Sequence, residues 1–117
     1  MRAFFREAER DASALYLSVV TVSELRRGVD MIRHRGDHRQ ASTLETWLTA
    51  MLADYASNIL PVDSEVAQLW GKLRSRHPEN ALDKLIAATA LINDLTVVTR
   101  DTADFEATGV RLLNPFA

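Results

Sequence analysis

Apolar residues along this chain fall by turns into short unbroken runs and into helical spacing, and the turns between them are marked by polar and glycine-proline punctuation. Residues 2–12 have helical character, with Ala3, Phe4, Phe5 and Ala8 as a short apolar face. Leu15-Tyr16-Leu17-Ser18-Val19-Val20 is rich in β-formers and short enough for a buried strand. Thr21 then opens a helix, since Thr21-Val22-Ser23-Glu24 matches the capping-box pattern. Gly36 interrupts the helical pattern before a longer amphipathic stretch that carries Leu44, Trp47, Leu48, Met51, Leu52 and Tyr55. Ile59-Leu60-Pro61-Val62 reads as a short strand whose proline favours a strand start or an edge. Asp63 can cap a helix bearing Val66, Leu69, Trp70 and Leu73. His77-Pro78-Glu79-Asn80 is a turn, with Asn80 as the cap of a helix over 81–92. Thr96-Val97-Val98-Thr99 is a further buried strand, and Val110 to Leu113 a last one before Asn114-Pro115.

Strands alternating with helices predict an α/β fold with a parallel or mostly parallel sheet. The 117 residues suit a single domain, 1–117, large enough to bury one core. At 47% hydrophobic and 26% charged residues, the composition matches neither a disordered nor a membrane-embedded chain. No apolar stretch approaches the roughly 20 residues that span a bilayer, and Met1-Arg2-Ala3-Phe4-Phe5-Arg6-Glu7 offers no signal-peptide core. The lack of cysteine removes disulfides, zinc-thiolate sites and thiol catalysis together. The simplest reading is a cytoplasmic protein with no membrane role. A net charge of -2 does not mark a nucleic-acid binder. It does not exclude one either, because a carboxylate-rich site masks basic surface elsewhere.

Four carboxylates fall at predicted helix starts: Glu24, Asp83, Asp101 and Asp104. Any one of them alone reads best as a helix cap, because acids near helix N-termini satisfy free N–H groups and complement the dipole. Topology adds a second reading. In a parallel α/β sheet the crossover helices begin at the carboxyl edge, where such folds bind ligands. Carboxylates gathered there repel one another unless a cation compensates, and hard ions such as Mg²⁺ or Mn²⁺ prefer oxygen donors. Such a centre can ionise water and stabilise charge on a scissile phosphodiester. Metal site and capping are both open at this point.

Thr99 and Ser23 are candidates to orient a ligand carboxylate or a water, against the plainer reading as hydroxyls at a strand end and a helix start. His34, His38 and His77 have no partner at metal-ligand spacing and read as surface residues. The basic stretch Arg26, Arg27, Arg33, His34, Arg35, His38, Arg39 could hold RNA phosphates or an acidic partner segment, or be a solvated helix face. Trp47 and Trp70 stand at helical spacing, which favours core packing or a dimer contact over base stacking.

Three segments together resemble a known family. Leu15-Tyr16-Leu17-Ser18-Val19-Val20-Thr21-Val22-Ser23-Glu24-Leu25-Arg26-Arg27-Gly28 resembles the second acidic motif of PIN-domain toxins of the VapC/FitB type. Leu82-Asp83-Lys84-Leu85-Ile86-Ala87-Ala88-Thr89-Ala90 resembles their third motif. Val98-Thr99-Arg100-Asp101-Thr102-Ala103-Asp104-Phe105 resembles the fourth, followed by the closing Gly109-Val110-Arg111-Leu112-Leu113-Asn114-Pro115. The resemblance implies a three-layer PIN fold, a mostly parallel central sheet flanked by helices. It implies Mg²⁺- or Mn²⁺-dependent cleavage of single-stranded RNA by the toxin of a type II toxin–antitoxin pair, with a VapB-like antitoxin as partner and a homodimer or higher oligomer as assembly. Glu24, Asp83 and Asp101 carry over as metal-site acids, Asp104 as an accessory catalytic acid, Thr99 and Ser23 as supporting hydroxyls, and Arg26 and Arg27 as contacts to RNA or antitoxin. In the implied mechanism an activated water attacks phosphorus in line while the ion offsets charge on the non-bridging oxygens.

The family pattern begins with a central Leu-Asp-Thr-Asn strand whose Asp is the first metal ligand, and no such segment precedes Met1 here. The strands 15–20 and 96–99, which would flank it, are therefore expected each to keep an unpaired edge. Three accounts stand open: a start or fragment that omits the segment, a shortened and inactive toxin, or closure of the gap by the two strands or by another chain. The rival function is a non-catalytic protein that binds a VapB-like antitoxin or another PIN chain, and a third reading is an α/β domain whose acids only cap helices.

Overall fold

The computed structural model describes residues 15–115, which fall into two units, 15–60 and 61–115. The helix expected over residues 2–12 lies outside the described residues.

In the first unit, strand β1 (Leu17–Ser18) runs directly into helix α1 (Val19–His34). The helix therefore begins two residues earlier than the sequence predicts, and the strand is two residues long rather than six. Ser18 is the reason: its hydroxyl accepts from Thr21 N at 3.1 Å and supplies the N-cap, so Thr21 is inside the first turn rather than ahead of it. Gly36 adopts φ +94, a left-handed conformation that glycine takes without a Cβ penalty, and ends this helical stretch. Asp37 then caps α2 (His38–Asp54) by accepting from Gln40 N at 3.2 Å. The apolar faces of α1 and α2 meet over Leu17, Val29, Leu48 and Met51. Leu48 has no exposed surface, and burying a leucine side chain contributes about 2 kcal/mol. Trp47, Leu44, Leu52 and Tyr55 pack around this cluster, as their spacing predicts. A short 3₁₀ turn (Ala56–Asn58) leads to β2 (Ile59–Leu60), which pairs in parallel with β1, Leu17 opposite Ile59 and Ser18 opposite Leu60.

The second unit opens with α3 (Ser64–Arg74), capped by Asp63, whose Oδ1 accepts from Val66 N at 2.9 Å. Helix α4 (Ala81–Ile92) is buried on most of its circumference, through Lys84, Leu85, Ala87, Ala88, Thr89 and Ala90. A helix apolar nearly all round belongs inside a protein, and its alanines let neighbours approach closely. It packs on α3, on strand β3 (Thr96–Val98) and on a 3₁₀ segment (Thr102–Thr108). Strand β4 (Arg111–Leu113) pairs in parallel with β3, with Thr96, Val97 and Val98 opposite Arg111, Leu112 and Leu113. The core here is Ala87, Ala90, Val97, Phe105 and Val110.

All described pairings are parallel, with one two-stranded sheet in each unit. Among the described residues β1 pairs with β2 alone and β3 with β4 alone. No helix among the described residues is long and apolar enough to cross a membrane.

Candidate functional site

Three of the four sequence-selected acids belong to the second unit, and packing brings two separate segments of it together. Asp83 is the third residue of α4, half-buried. The turn that starts this helix is held from two sides. Trp70 on α3 donates its indole N–H to the carbonyl of Ala81 at 2.9 Å, and Lys84 Nζ donates to the carbonyl of Glu79. Asn80 occupies the cap position as predicted, but not as a side-chain cap. It sits at φ 55, ψ 47 and its side chain makes no capping hydrogen bond. Asparagine is one of the few residues that tolerate this left-handed conformation, and the geometry of the turn takes precedence over capping.

Asp101 and Asp104 come from the segment after β3. Thr99 N donates to the Leu113 carbonyl at 3.0 Å, and the Thr99 hydroxyl accepts from Asp101 N at 3.0 Å. Asp104 N in turn donates to the Asp101 carbonyl at 3.1 Å. Phe105, only 3% exposed, fastens the segment to the core beside α4. Thr99 therefore has a structural task in setting the loop that carries Asp101, while Asp101 and Asp104 are exposed.

The electrostatic result is read at Asp83. Its pKa is raised above the ordinary carboxylate value, first by burial, then by the charges of Asp104 and Asp101, with Lys84 acting in the opposite direction. Asp83 thus lies in the field of Asp101 and Asp104, in a unit that positions them by packing and backbone hydrogen bonds. Their donor atoms are all carboxylate oxygen, the chemistry that suits a hard divalent cation. Among the described residues no three acids or histidines converge closely enough to grip an ion as they stand.

Glu24 belongs to the first unit, on α1. With the helix starting at Val19 it is the sixth helical residue, and the first turn contains no acid, so the capping account of Glu24 is overturned. Its side chain is 44% exposed, with Arg27 Nη1 3.5 Å from Oε2. Ser23 is exposed. The two arginines singled out together have different settings. Arg26 is committed to Glu45 on α2 through paired contacts of 2.6 and 2.7 Å, and Arg33 joins the same carboxylate at 3.1 Å. The hydrogen bonds from Arg26 and then Arg33 hold the Glu45 carboxyl down to about 2. Arg27 has its side chain 66% exposed. His34, His38 and His77 are exposed, as expected.

Sequence reasoning missed Lys84, which is buried at 4% exposure beside Asp83. A signal was present, since Lys84 is the one cation within the otherwise apolar stretch that follows Asp83 on α4. The Arg26–Glu45 clamp, 19 residues apart, had no comparable local signal.

The PIN domain family pattern matches residues 2–110. The chain belongs to the PIN domain family. Among curated relatives, this PIN domain is 39% identical to Toxin FitB of Neisseria gonorrhoeae over 108 residues, covering 87% of this chain and 76% of that one. It is 32% identical over 107 residues to VapC ribonuclease Y4jK of Sinorhizobium fredii, covering 87% and 75%. In three dimensions it resembles the crystal structure of FitAcB from Neisseria gonorrhoeae, with TM-score 0.76, 39% identity and coverage of 86% and 75%. It also resembles a member of the VapBC family of toxin–antitoxin systems, VapBC-5 from Mycobacterium tuberculosis, with TM-score 0.56, 28% identity and coverage of 84% and 78%. The PIN-like α/β fold expected from the acidic motifs is the fold of this chain.

Proposed function

We propose that this PIN domain is the toxin of a type II toxin–antitoxin pair, a Mg²⁺- or Mn²⁺-dependent endoribonuclease acting on single-stranded RNA in the cytoplasm and restrained by a VapB-like antitoxin. The observation that carries the reading is the packing of α4, which bears Asp83, against the segment that bears Asp101 and Asp104; burial first, and then the charges of Asp104 and Asp101, raise the pKa of Asp83. Repulsion among fixed carboxylates is a cost that a structural role does not explain and a bound cation would offset. The similarity to Toxin FitB and to a VapC ribonuclease supports the choice of nucleic-acid chemistry.

In this mechanism Asp83 on α4 and Asp101 in the loop after β3 would hold the cation, with Asp104 as the accessory acid. Glu24 enters as a further metal-site acid on its sequence motif alone. When bound, the ion lowers the pKa of water and stabilises negative charge on the phosphodiester. Thr99 keeps Asp101 in place through the Asp101 N–H, and Phe105 keeps the loop against the core. Arg27, exposed on α1, is the better of the two arginines for an RNA phosphate or an acidic antitoxin segment, because the fork of Arg26 is already filled by Glu45.

The test is cleavage of a single-stranded RNA with Mn²⁺ and with chelator, in wild type, Asp83→Asn and Glu24→Gln. Cleavage that needs Mn²⁺ and falls to background in both variants is the expected result. A folded protein that binds antitoxin or a second PIN chain, yet shows no metal-dependent cleavage, would replace the enzyme by the binding-protein reading.

A further inference from the structure

The last turn of α3 carries an arrangement that the mechanism above leaves unused. Trp70 and Arg74 stand four residues apart and so share one face of the helix. The Arg74 guanidinium lies over the Trp70 ring, 3.8 Å from its centroid, where cation–π attraction favours it. Trp70 is itself fixed, because its indole N–H donates to the Ala81 carbonyl at 2.9 Å. The stack is therefore anchored to the first residue of α4, two positions before Asp83.

Other arginines of the chain have carboxylate partners: Arg26 and Arg33 meet Glu45, and Arg111 meets Asp94. Arg74 has no carboxylate within ion-pair distance among the described residues, and its Nε is buried with no hydrogen-bond partner. Burying an N–H without an acceptor is unfavourable, so the Trp70 ring, not a hydrogen bond, dictates where this guanidinium lies. With Nε shut in, the half-buried side chain keeps its usable donors at Nη1 and Nη2, which meet no acceptor among the described residues. Complementing the dipole at the end of α3 accounts for the charge, and covering the indole accounts for the stack. Neither role uses the two free donors. An oriented guanidinium with an empty fork matches the oxygens of a phosphate through two parallel N–H groups.

We propose that Arg74, held flat by Trp70, binds a backbone phosphate of single-stranded RNA end-on through Nη1 and Nη2, and so holds the strand where α3 gives way to α4. Charge favours this occupant. Lys72 and Arg76 flank Arg74 in sequence, both exposed, and Glu79 is the sole acid between Lys72 and Asn80. A continuous row of phosphates can use all three cations, and it needs them against the repulsion of the acids in the same unit. The choice of RNA rests on the proposed function, whereas the anion-binding arginine rests on the geometry of the stack.

The test is binding of a labelled single-stranded RNA oligonucleotide by anisotropy, on the full chain, with chelator present and across a salt series. Arg74→Met should weaken binding about fivefold to twentyfold and lower the salt slope by about 0.7, the value for one phosphate contact on a single strand. Arg74→Lys keeps the charge without the planar fork and should weaken binding about threefold with the slope near wild type. Arg76→Met removes the same charge from an exposed, unstacked side chain and should cost no more than about twofold. A loss for Arg74→Met no larger than for Arg76→Met, or an unchanged salt slope, overturns the proposal. Should Arg74→Met not fold, the comparison passes to Arg74→Lys, and wild-type affinity there overturns it. If Arg74→Met loses affinity for a glutamate-rich peptide but not for RNA, the fork serves an acidic partner and the RNA assignment falls. Arg74-dependent RNA binding without Mn²⁺-dependent cleavage supports this inference and removes the ribonuclease reading; cleavage with RNA binding indifferent to Arg74 does the reverse.

Discussion

Phe105 is where the packing of this chain and the placement of its acids meet, and its truncation is the sharpest test of that link. The ring is 3% exposed and packs among Ala87, Ala90, Val97 and Val110. It lies one residue after Asp104 in the 3₁₀ segment Thr102–Thr108, which has a single buried residue, Phe105 itself. A buried phenylalanine removes about 200 Å² from water, worth about 5 kcal/mol at 25 cal/mol per Å². Phe→Ala substitutions in cores cost about 3–5 kcal/mol once the residual methyl and relaxation are included. The buried neighbours are two alanines and two valines, with Ile86, Leu91, Leu95 and Leu112 packed against the cluster. The middle of that range is expected, about 4 kcal/mol for Phe105→Ala. Phe105→Leu fills most of the volume and should cost less than about 1.5 kcal/mol.

The chain carries two tryptophans, Trp47 in the first unit and Trp70 in the second, so the transition can be assigned to a unit. Urea unfolding is followed by Trp70 fluorescence in a Trp47→Phe background, with Mn²⁺ affinity measured on the same samples. Phe105→Ala should lower the midpoint strongly and weaken Mn²⁺ binding, because Asp101 and Asp104 lose their anchor. Phe105→Leu should leave both near wild type. A loss for Phe105→Ala no larger than that for Phe105→Leu would refute the argument that this ring holds the acidic segment.

Three further outcomes follow from the same geometry. In metal-free protein at neutral pH, Asp83→Asn should raise stability, since the folded state holds this carboxyl at a raised pKa and binds its proton more tightly than the unfolded chain does. The sign is that wild-type stability falls as pH rises from the unfolded carboxylate value through the raised folded one, so the gain from Asp83→Asn should vanish in acid; urea midpoints across pH read this. Glu45 has the opposite sign, with its carboxyl held down to about 2 by Arg26 and Arg33, so its stabilisation is present above the ordinary carboxylate value and lost as pH falls toward 2. Glu45→Gln should lower the thermal midpoint at neutral pH and flatten that acid limb, and an unchanged limb would count against the clamp. Asn80→Gly should be close to neutral in thermal unfolding, while Asn80→Ala should cost about 1 kcal/mol for the left-handed backbone. Equal costs for both would mean that the asparagine side chain acts after all.

What could be read from the sequence, and what could not, divides along the range of the forces involved. Asp63 is a local device, a carboxylate followed three residues later by the N–H it caps, and both the cap and the helix beyond it are as predicted. The spacing of Leu44, Leu48 and Met51 is likewise a property of one helix, and it placed the core of the first unit correctly. The start of α1 was misjudged because two local devices competed. Thr21-Val22-Ser23-Glu24 matches a capping box in sequence, but Ser18 caps the helix first and draws Val19 and Val20 out of the strand. That shift has a functional consequence, since it moves Glu24 out of the first turn and leaves its carboxylate without a capping duty. The acids of the second unit were legible as a group because each follows a predicted strand or turn. Their mutual repulsion was not, as it depends on Phe105 and α4 bringing the 101–104 segment back to Asp83. Lys84 falls between these cases. Its charge stands out in an apolar helix, but only the structure shows that it is buried and that its ammonium donates to the Glu79 carbonyl. A sequence motif thus singles out the acids, and the packing around them decides which of them act on one another.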